Sequence, residues 1–385
     1  MEMPSDFVPN ATHLSIAPGR VNLLGEHVDY NDGMVLPAAI DRAVKLSARP
    51  RSDRLVMLRA DDINETVTFS LDALSGKADV LGAALPGWAM YPAGVAWALQ
   101  ETGLATSGIQ AAFTSNVPIG AGLSSSAAVE VAFAALWQAL SGWSASKMDL
   151  ALMCQRAENA YVGVNCGLMD QFASANGVEG HALYFDTRSL AFHPVPLPAG
   201  TVIVIADSGV RRTLTTSAYN DRRAACEQAV ALLKPHLPGM TALRDVTPAD
   251  FFRLAHLLPE MVARRAQHIV EECARMEEAV VVLEAGDADA FGRLMLAGHA
   301  SLRDLYEVSC PELDVLVETA KNLPGCYGAR LTGAGFGGCT VNLVQESQAE
   351  NFISSLKAGY EETTRRKAEV YLCRASQGVH VQKLP

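Results

Sequence analysis

Residues 117–140, VPIGAGLSSSAAVEVAFAALWQAL, decide how the rest of the chain is read. Ahead of them, residues 109–117 (IQAAFTSNV) alternate apolar and polar side chains as a strand does. Behind Pro118 come two glycines, three serines and a long run with helical apolar spacing. The expectation is strand, glycine loop, helix. Ser124, Ser125 and Ser126 stand where the helix would begin, so their side chains can cap it while its free first-turn N–H groups and its dipole face the loop. Such a place attracts anions, phosphate above all. Gly120 and Gly122 allow positive φ and close approach of the backbone to a ligand. Taken alone, the segment reads equally well as an ordinary glycine turn with a serine cap.

The other segments narrow the choice. Residues 14–24 read as a strand interrupted at Pro18-Gly19 and residues 35–48 as another, with the polar GEHVDYNDG between them. A hairpin of these two would bring Arg20 and the cluster Glu26-His27-Val28-Asp29-Tyr30-Asn31 to one site. That cluster offers enough donors and acceptors to hold several hydroxyls of a sugar, although a solvated turn has the same composition. Two strands over 55–71 and a helix over 88–101 follow. Ser146 with Asp149 forms a capping box for a helix running to about Tyr161 and carrying Glu158. Asp170 stands at the start of the next helix, and both acids could equally be surface or first-turn carboxylates. The proline-rich residues 193–200 mark a boundary between residues 1–200 and 201–385. Beyond it the pattern predicts a strand over 201–207, helices over 219–233, 260–285 and 288–306, a glycine turn feeding a strand over 327–344, and β structure over 370–381. Arg222 and Arg223 read as a solvated helix face.

Composition removes some function classes. A net charge of −11 disfavours nucleic acid or an anionic membrane as main partner, so an anionic substrate must be held by local cations, backbone amides and a metal. The eight cysteines are scattered singly, which suits reduced thiols and a cytoplasmic address. The N-terminus carries no signal-peptide pattern, and the longest apolar helix is interrupted by Glu130 and too short to span a bilayer. Gly333-Ala-Gly335-Phe-Gly-Gly338 fits G-x-G-x-x-G, yet it runs into the β-branched CTVNLV where a dinucleotide fold needs a helix. No G-x-x-x-x-G-K-[ST] and no H-R-D with D-F-G is present. What remains is a phosphate loop with serines in place of the P-loop lysine.

APGRVNLLGEHVDYNDGMVLPAAI, VPIGAGLSSSAA and LTGAGFGGCTVNLV, in that order, resemble the three signatures of the GHMP small-molecule kinases. The first resembles the galactokinase signature in particular, and CGLMDQF and SAYNDRR resemble further galactokinase segments. One departure is Val28, where galactokinases commonly carry threonine. The resemblance implies an α+β fold in two halves, the N-terminal half carrying the sugar signature and phosphate loop, the C-terminal half the helices and the third motif, with the active site in the cleft. It implies transfer of the γ-phosphoryl of ATP to the anomeric hydroxyl of α-D-galactose, giving galactose 1-phosphate in galactose catabolism. Gly120, Ala121, Gly122, Leu123, Ser124, Ser125 and Ser126 would wrap the triphosphate, and Ser126 and Glu158 would hold Mg²⁺. Asp170 would face the reacting oxygen with Arg20 beside it, and Glu26, His27, Val28, Asp29, Gly167 and Tyr219 would hold the sugar.

These roles suit phosphoryl transfer, which needs in-line positioning and cations more than covalent chemistry. An arginine beside Asp170 makes it an available but weak base, so proton transfer is expected late, with Asp170 also orienting the nucleophile. Two rivals are a sister kinase for N-acetylgalactosamine or arabinose and a non-catalytic galactose sensor; the sensors typically lose a Ser-Ala pair that is intact here as Ser126-Ala127. The expected partners are therefore a small sugar and ATP, with no nucleic acid and no membrane, and the expected state is a monomer. The adenine-contacting residues are open, Trp88 and Leu58 being candidates.

Overall fold

The computed structural model describes residues 6–118, 120–211 and 215–385, so Ile119 and residues 212–214 of the basic, threonine-containing segment lie outside the described residues. In chain order the first half forms β1 (His13–Asn22), β2 (Met34–Val35), β3 (Pro37–Pro50), β4 (Leu55–Ala60), β5 (Glu65–Ser70) and α1 (Gly87–Glu101). It continues with β6 (Ile109–Ser115), α2 (Ser125–Ser141), α3 (Lys147–Arg156), α4 (Met169–Asn176), β7 (His181–Asp186) and β8 (Phe192–Pro196). The second half begins with β9 (Thr201–Asp207), α5 (Thr215–Leu233), α6 (Pro248–Leu254), α7 (Glu260–Glu284), α8 (Ala288–Ser301) and α9 (Pro311–Lys321). It closes with β10 (Cys326–Thr332), β11 (Cys339–Gln345), α10 (Ala349–Thr364), β12 (Glu369–Cys373) and β13 (His380–Lys383).

This is the expected α+β arrangement. β1 and β3 pair antiparallel, with a register shift between Pro18 and Arg20, so Pro18-Gly19 bends the strand without ending it. They lie in a six-stranded sheet ordered β13-β1-β3-β6-β4-β5. A four-stranded sheet, β10-β11-β9-β12, forms the centre of the second half, and β2-β7-β8 makes a small third sheet. The apolar stripe of α2 is buried: Ala128, Val131, Ala132 and Trp137 are fully enclosed, and the helix lies against β1 and β3. The Ser146 and Asp149 capping box forms as expected and starts α3.

Some expectations need correction. The helix begun at Ser146 stops at Arg156 and widens into π-type turns over Ala157–Val162, which carry Glu158. Residues 370–381 are two strands in different sheets: β12 pairs with β9, whereas β13 pairs with β1. The chain end therefore returns to the first sheet. Glycines 333–338 form the loop of an antiparallel hairpin between β10 and β11, consistent with the rejection of a dinucleotide fingerprint. Arg222 does not simply face solvent; its guanidinium donates to the carbonyls of Tyr306 at 2.7 Å and Glu307 at 2.8 Å, while Arg223 is exposed. No described helix is long and apolar enough to cross a membrane. All eight cysteines are free thiols.

Candidate active site

A register shift at Pro18/Arg20 in β1 precedes Arg20, and the first residues of α4 set Asp170 opposite it. Arg20 Nε donates to Asp170 Oδ1 at 3.0 Å and Nη2 approaches the same oxygen at 2.7 Å, while Nη1 donates to the carbonyl of Gly122. The second carboxylate oxygen, Oδ2, accepts the hydroxyl of Ser124 at 2.5 Å. Two distant segments thus hold one carboxylate, each by a different oxygen. Ser124 sits in the left-handed region, φ 59°, and makes no side-chain cap on α2. The expected serine cap is replaced by a bond to Asp170, because that backbone turn aims the hydroxyl across the cleft and away from the helix amides. Gly120 and Gly122 have positive φ, as expected.

Asp170 lines a cavity of about 240 Å³ together with Arg20, Glu26, His27, Asp29, Gly167 and Tyr219, so the structure gathers these predicted residues in one place. Val28 is the exception: its side chain is completely buried among apolar residues, and its carbonyl accepts the N–H groups of Asn31 and Gly33 in the tight turn. Leu123 is likewise buried, and its carbonyl takes the N–H of Arg20. These two act through the backbone. Gly167 packs directly on Asp29: a Cβ there would stand 2.5 Å from Asp29 Oδ2, so a larger residue would displace that carboxylate.

Two of the carboxyl groups lining the cavity, Glu26 and Asp29, are held above the ordinary carboxylate range. Burial pushes Glu26 up to about 7 against the pull of Arg330, and burial with the charge of Asp170 pushes Asp29 up to about 6. Burial drives His27 down to about 3, so it is neutral. Its Nε2 faces the carbonyl of Ala334 at 3.2 Å and therefore carries the proton, leaving Nδ1 to accept the hydroxyl of Tyr30 at 2.8 Å. Tyr30 in turn bonds Tyr306 at 2.6 Å. Both ring nitrogens of His27 are thus occupied, and the imidazole serves as a tie between the 26–31 turn and the 333–338 loop.

Behind Asp170, Glu158 and Glu130 are buried and share the amide nitrogen of Gln171, which donates to them at 2.6 Å and 3.0 Å. Burial raises both acids, and the charge of Glu158 raises Glu130 further. The hydroxyl of Ser126, near Glu158, pulls that carboxyl back down in part. An excess of buried negative charge beside a hydroxyl fits a divalent cation. Among the described residues no three His, Cys, Asp or Glu side chains converge as a complete metal cage, so the remaining ligands of a cation here would be phosphate and water.

Two more cavities adjoin the 120–126 loop. One lies between Gly120, Ala121 and Gly122 and the facing loop of Gly335, Phe336, Gly337 and Gly338. The other, also about 240 Å³ and mainly apolar, is walled by Ile63, Trp88, Tyr91, Phe113 and Val129 and reaches Ser125 and Ser126.

Residues 6–50 match the family profile described as the galactokinase galactose-binding signature, which spans Arg20 and the Glu26–Asp29 turn. The galactokinase of Roseiflexus sp. (strain RS-1) is 50% identical over 94% of this chain and 91% of its own length. The chain belongs to the galactokinase family. Galactokinase membership is consistent with matches to the GHMP kinases N terminal domain over residues 90–178 and the GHMP kinases C terminal domain over residues 277–362. The galactokinase of Chloroflexus aggregans is 45% identical, covering 96% of this chain and 93% of the relative. The crystal structure of Lactococcus lactis galactokinase complexed with galactose superposes with a TM-score of 0.89 at 33% identity, covering 97% of this chain and 95% of that one. Methanococcus jannaschii mevalonate kinase, at a TM-score of 0.69 and 18% identity over 96% of this chain and all of its own, shares the fold.

Sequence reasoning missed several residues that line these cavities. Asn165, Cys166, Gly333 and Ala334 line the first cavity, and Tyr91 and Phe113 join Trp88 in the apolar one. Leu58 is buried in the core and does not line it. Helical spacing alone could have put Trp88 and Tyr91 on one face, three residues apart.

Proposed function

We propose a division of labour at this site for the ATP-dependent phosphorylation of the C1 hydroxyl of α-D-galactose, which yields galactose 1-phosphate and ADP. The sugar occupies the cavity of Glu26, Asp29, Gly167 and Tyr219, with its C1 hydroxyl against Asp170. The observation that carries this reading is the clamped carboxylate: both oxygens of Asp170 are already bonded, by Arg20 and Ser124, so its remaining lone pairs have a fixed direction into the cavity. Val28, the departure from the common threonine, is enclosed in the core, so this difference does not reach the sugar.

ATP lies along residues 120–126. Its base enters the apolar cavity beside Trp88 and Tyr91, its phosphates cross the first turn of α2, and the 333–338 loop faces them from the other side. The helix N-terminus and the guanidinium of Arg20 supply positive potential in a chain of net negative charge. As the C1 oxygen attacks the γ-phosphorus in line with the departing ADP oxygen, its proton passes to Asp170, which also fixes the direction of attack. Ser126 and Glu158 would hold Mg²⁺, which when bound offsets the charge of the phosphates. The enzyme works as a monomer in the cytoplasm, an address that its eight free thiols suit.

An ATP-coupled assay over galactose, N-acetylgalactosamine, arabinose and mevalonate, with and without Mg²⁺, tests this function. Galactose should be turned over fastest and only with the cation present. Equal turnover of another sugar, or binding of galactose without any ADP release, would overturn it in favour of a sister kinase or a sensor.

A further inference from the structure

Asp170 and the residue after it serve opposite sides of α4. Both stand in its first turn; Asp170 lines the sugar cavity, whereas Gln171 is fully enclosed. The Gln171 amide nitrogen donates to Glu158 Oε2 at 2.6 Å and to Glu130 Oε2 at 3.0 Å, so its two hydrogens can serve one acid each. Turned the other way, the amide oxygen would face two acceptors, and the two acids therefore fix its orientation. The thiol of Cys166 approaches Glu158 Oε2 as well, at 3.3 Å. Glu130 is completely buried and lies four residues after Ser126 in α2, one turn further along the same face.

This network is poor evidence of stabilisation. Glu130 Oε1 and the Gln171 amide oxygen are enclosed without a hydrogen-bond partner, which is costly. Its geometry has a different use, which is to hold Glu158. That acid rides on the π-type turns of Ala157–Val162, where regular helical spacing no longer sets the direction of a side chain. Oε1 of Glu158 takes neither of the bonds made by Oε2 and, unlike Oε1 of Glu130, is not an enclosed atom without a partner, so it is the oxygen open to a cation. We infer that Gln171, anchored by Glu130, is a positioning residue that aims the open oxygen of Glu158 at the Mg²⁺ of the bound nucleotide. This rests on the proposed place of the cation between Glu158 and Ser126. Because Gln171 follows Asp170, one helical turn then sets both the acid that faces the sugar and the acid that faces the cation, and Glu130 ties that turn to the helix leading from the phosphate loop.

The test is the Mg²⁺ Kd of the ADP-bound protein, by calorimetric titration of MgCl₂, with ADP Kd in EDTA and galactose Kd as controls. The variants are Gln171→Met, Glu130→Met, Glu130→Gln, Glu158→Gln and the Glu158→Gln/Gln171→Met pair. Methionine at 171 fills the space and donates to neither acid, while glutamine at 130 still accepts the Gln171 amide. The expected result is a roughly 10- to 100-fold weaker Mg²⁺ Kd in Gln171→Met, the scale for losing a hydrogen-bond partner of a metal ligand, and a smaller loss in Glu130→Met that Glu130→Gln does not show. ADP Kd in EDTA and galactose Kd should stay within about threefold of the parent, since neither involves the cation, and in the Glu158→Gln background Gln171→Met should add less than about threefold. Unchanged Mg²⁺ Kd in a folded Gln171→Met, an equal loss of ADP binding in EDTA, or full additivity in the pair would overturn the proposal. Should Gln171→Met fail to fold, Glu130→Met against Glu130→Gln decides by the same measurement. Unchanged Mg²⁺ Kd in Glu158→Gln would instead overturn the placement of the cation itself.

Discussion

Asp170→Asn is the substitution that isolates the proposed chemistry from the architecture around it. The amide is nearly isosteric with the carboxyl group, and each contact has a substitute: the amide oxygen can accept Arg20, now held at 3.0 Å from Oδ1, and the amide nitrogen can donate to Ser124, whose hydroxyl now donates to Oδ2 at 2.5 Å. Arg20 also keeps its bond to the carbonyl of Gly122. What asparagine cannot do is accept the proton of the C1 hydroxyl. Loss of a general base typically costs about 10²- to 10⁴-fold in rate, or about 2.7 to 5.4 kcal/mol of barrier. The predicted result is a kcat drop in that range at saturating galactose and ATP, galactose Kd by calorimetry within about fivefold, and a melting temperature lowered by no more than a few degrees. Removing the charge should also lower the pKa of Asp29, which Asp170 now helps to raise. A kcat within about tenfold of the parent, in a protein that binds galactose normally, would refute the role of Asp170 as proton acceptor.

Gly167→Ala should raise galactose KM by roughly 100-fold with ATP KM unchanged: its Cβ would stand 2.5 Å from Asp29 Oδ2 where ordinary contact begins at 3.4 Å, and displacements near 1 Å in an active site cost about that much; normal galactose KM would show that the loop yields and Asp29 stays. Trp88→Ala should raise ATP KM about tenfold, the scale of one aromatic–base contact, with galactose KM retained, and initial rates over a matrix of both substrates would reveal the reverse. Galactose KM should rise as pH is lowered through 7 and 6, because Glu26 and Asp29 become protonated and stop accepting hydroxyls, while ATP KM stays flat. Stability follows the opposite sign for these two. Their folded pKa values lie above the ordinary 4.5 and 3.8, so they favour the fold at low pH and that contribution is lost as pH rises towards 7, whereas Glu272, held down to about 2 after burial is outweighed by Arg330 and Arg275, stabilises above 4.5 and loses this as pH falls towards 2. Galactose KM independent of pH between about 6 and 8 would count against both cavity acids as ligands.

Much of this enzyme was legible without coordinates because its chemistry sits in short segments whose local structure is set by neighbours in sequence. Glycines at 120 and 122, the capping box at Ser146 and the alternation over residues 109–115 all express preferences a few residues long, and each produced the element expected. The glycine-rich 333–338 segment could be rejected as a dinucleotide site from the strand that follows it. Residue types in the 26–31 turn and at Asp170 also carried the chemistry, since carboxylates and amides near glycines are the equipment of a polar ligand site.

Which of those side chains face the ligand was a tertiary matter. Val28 and Asp29 are adjacent in sequence, yet the tight turn sends one into the core and the other to the cavity wall. Ser124 looked like a helix cap and became a partner of Asp170, because a carboxylate 46 residues away offered its hydroxyl a charged acceptor. Arg330 could not be distinguished from any arginine in a strand until β10 brought it between Glu26 and Glu272, and Arg222 until it met the carbonyls after α8. The amino-acid order by itself determined the strands, the loops and the family of reaction, since these depend on local conformational preference and residue chemistry. The burial, pairing and proton affinity of each functional group were decided by the folded chain alone, because they depend on dielectric surroundings and partners that only long-range packing can supply.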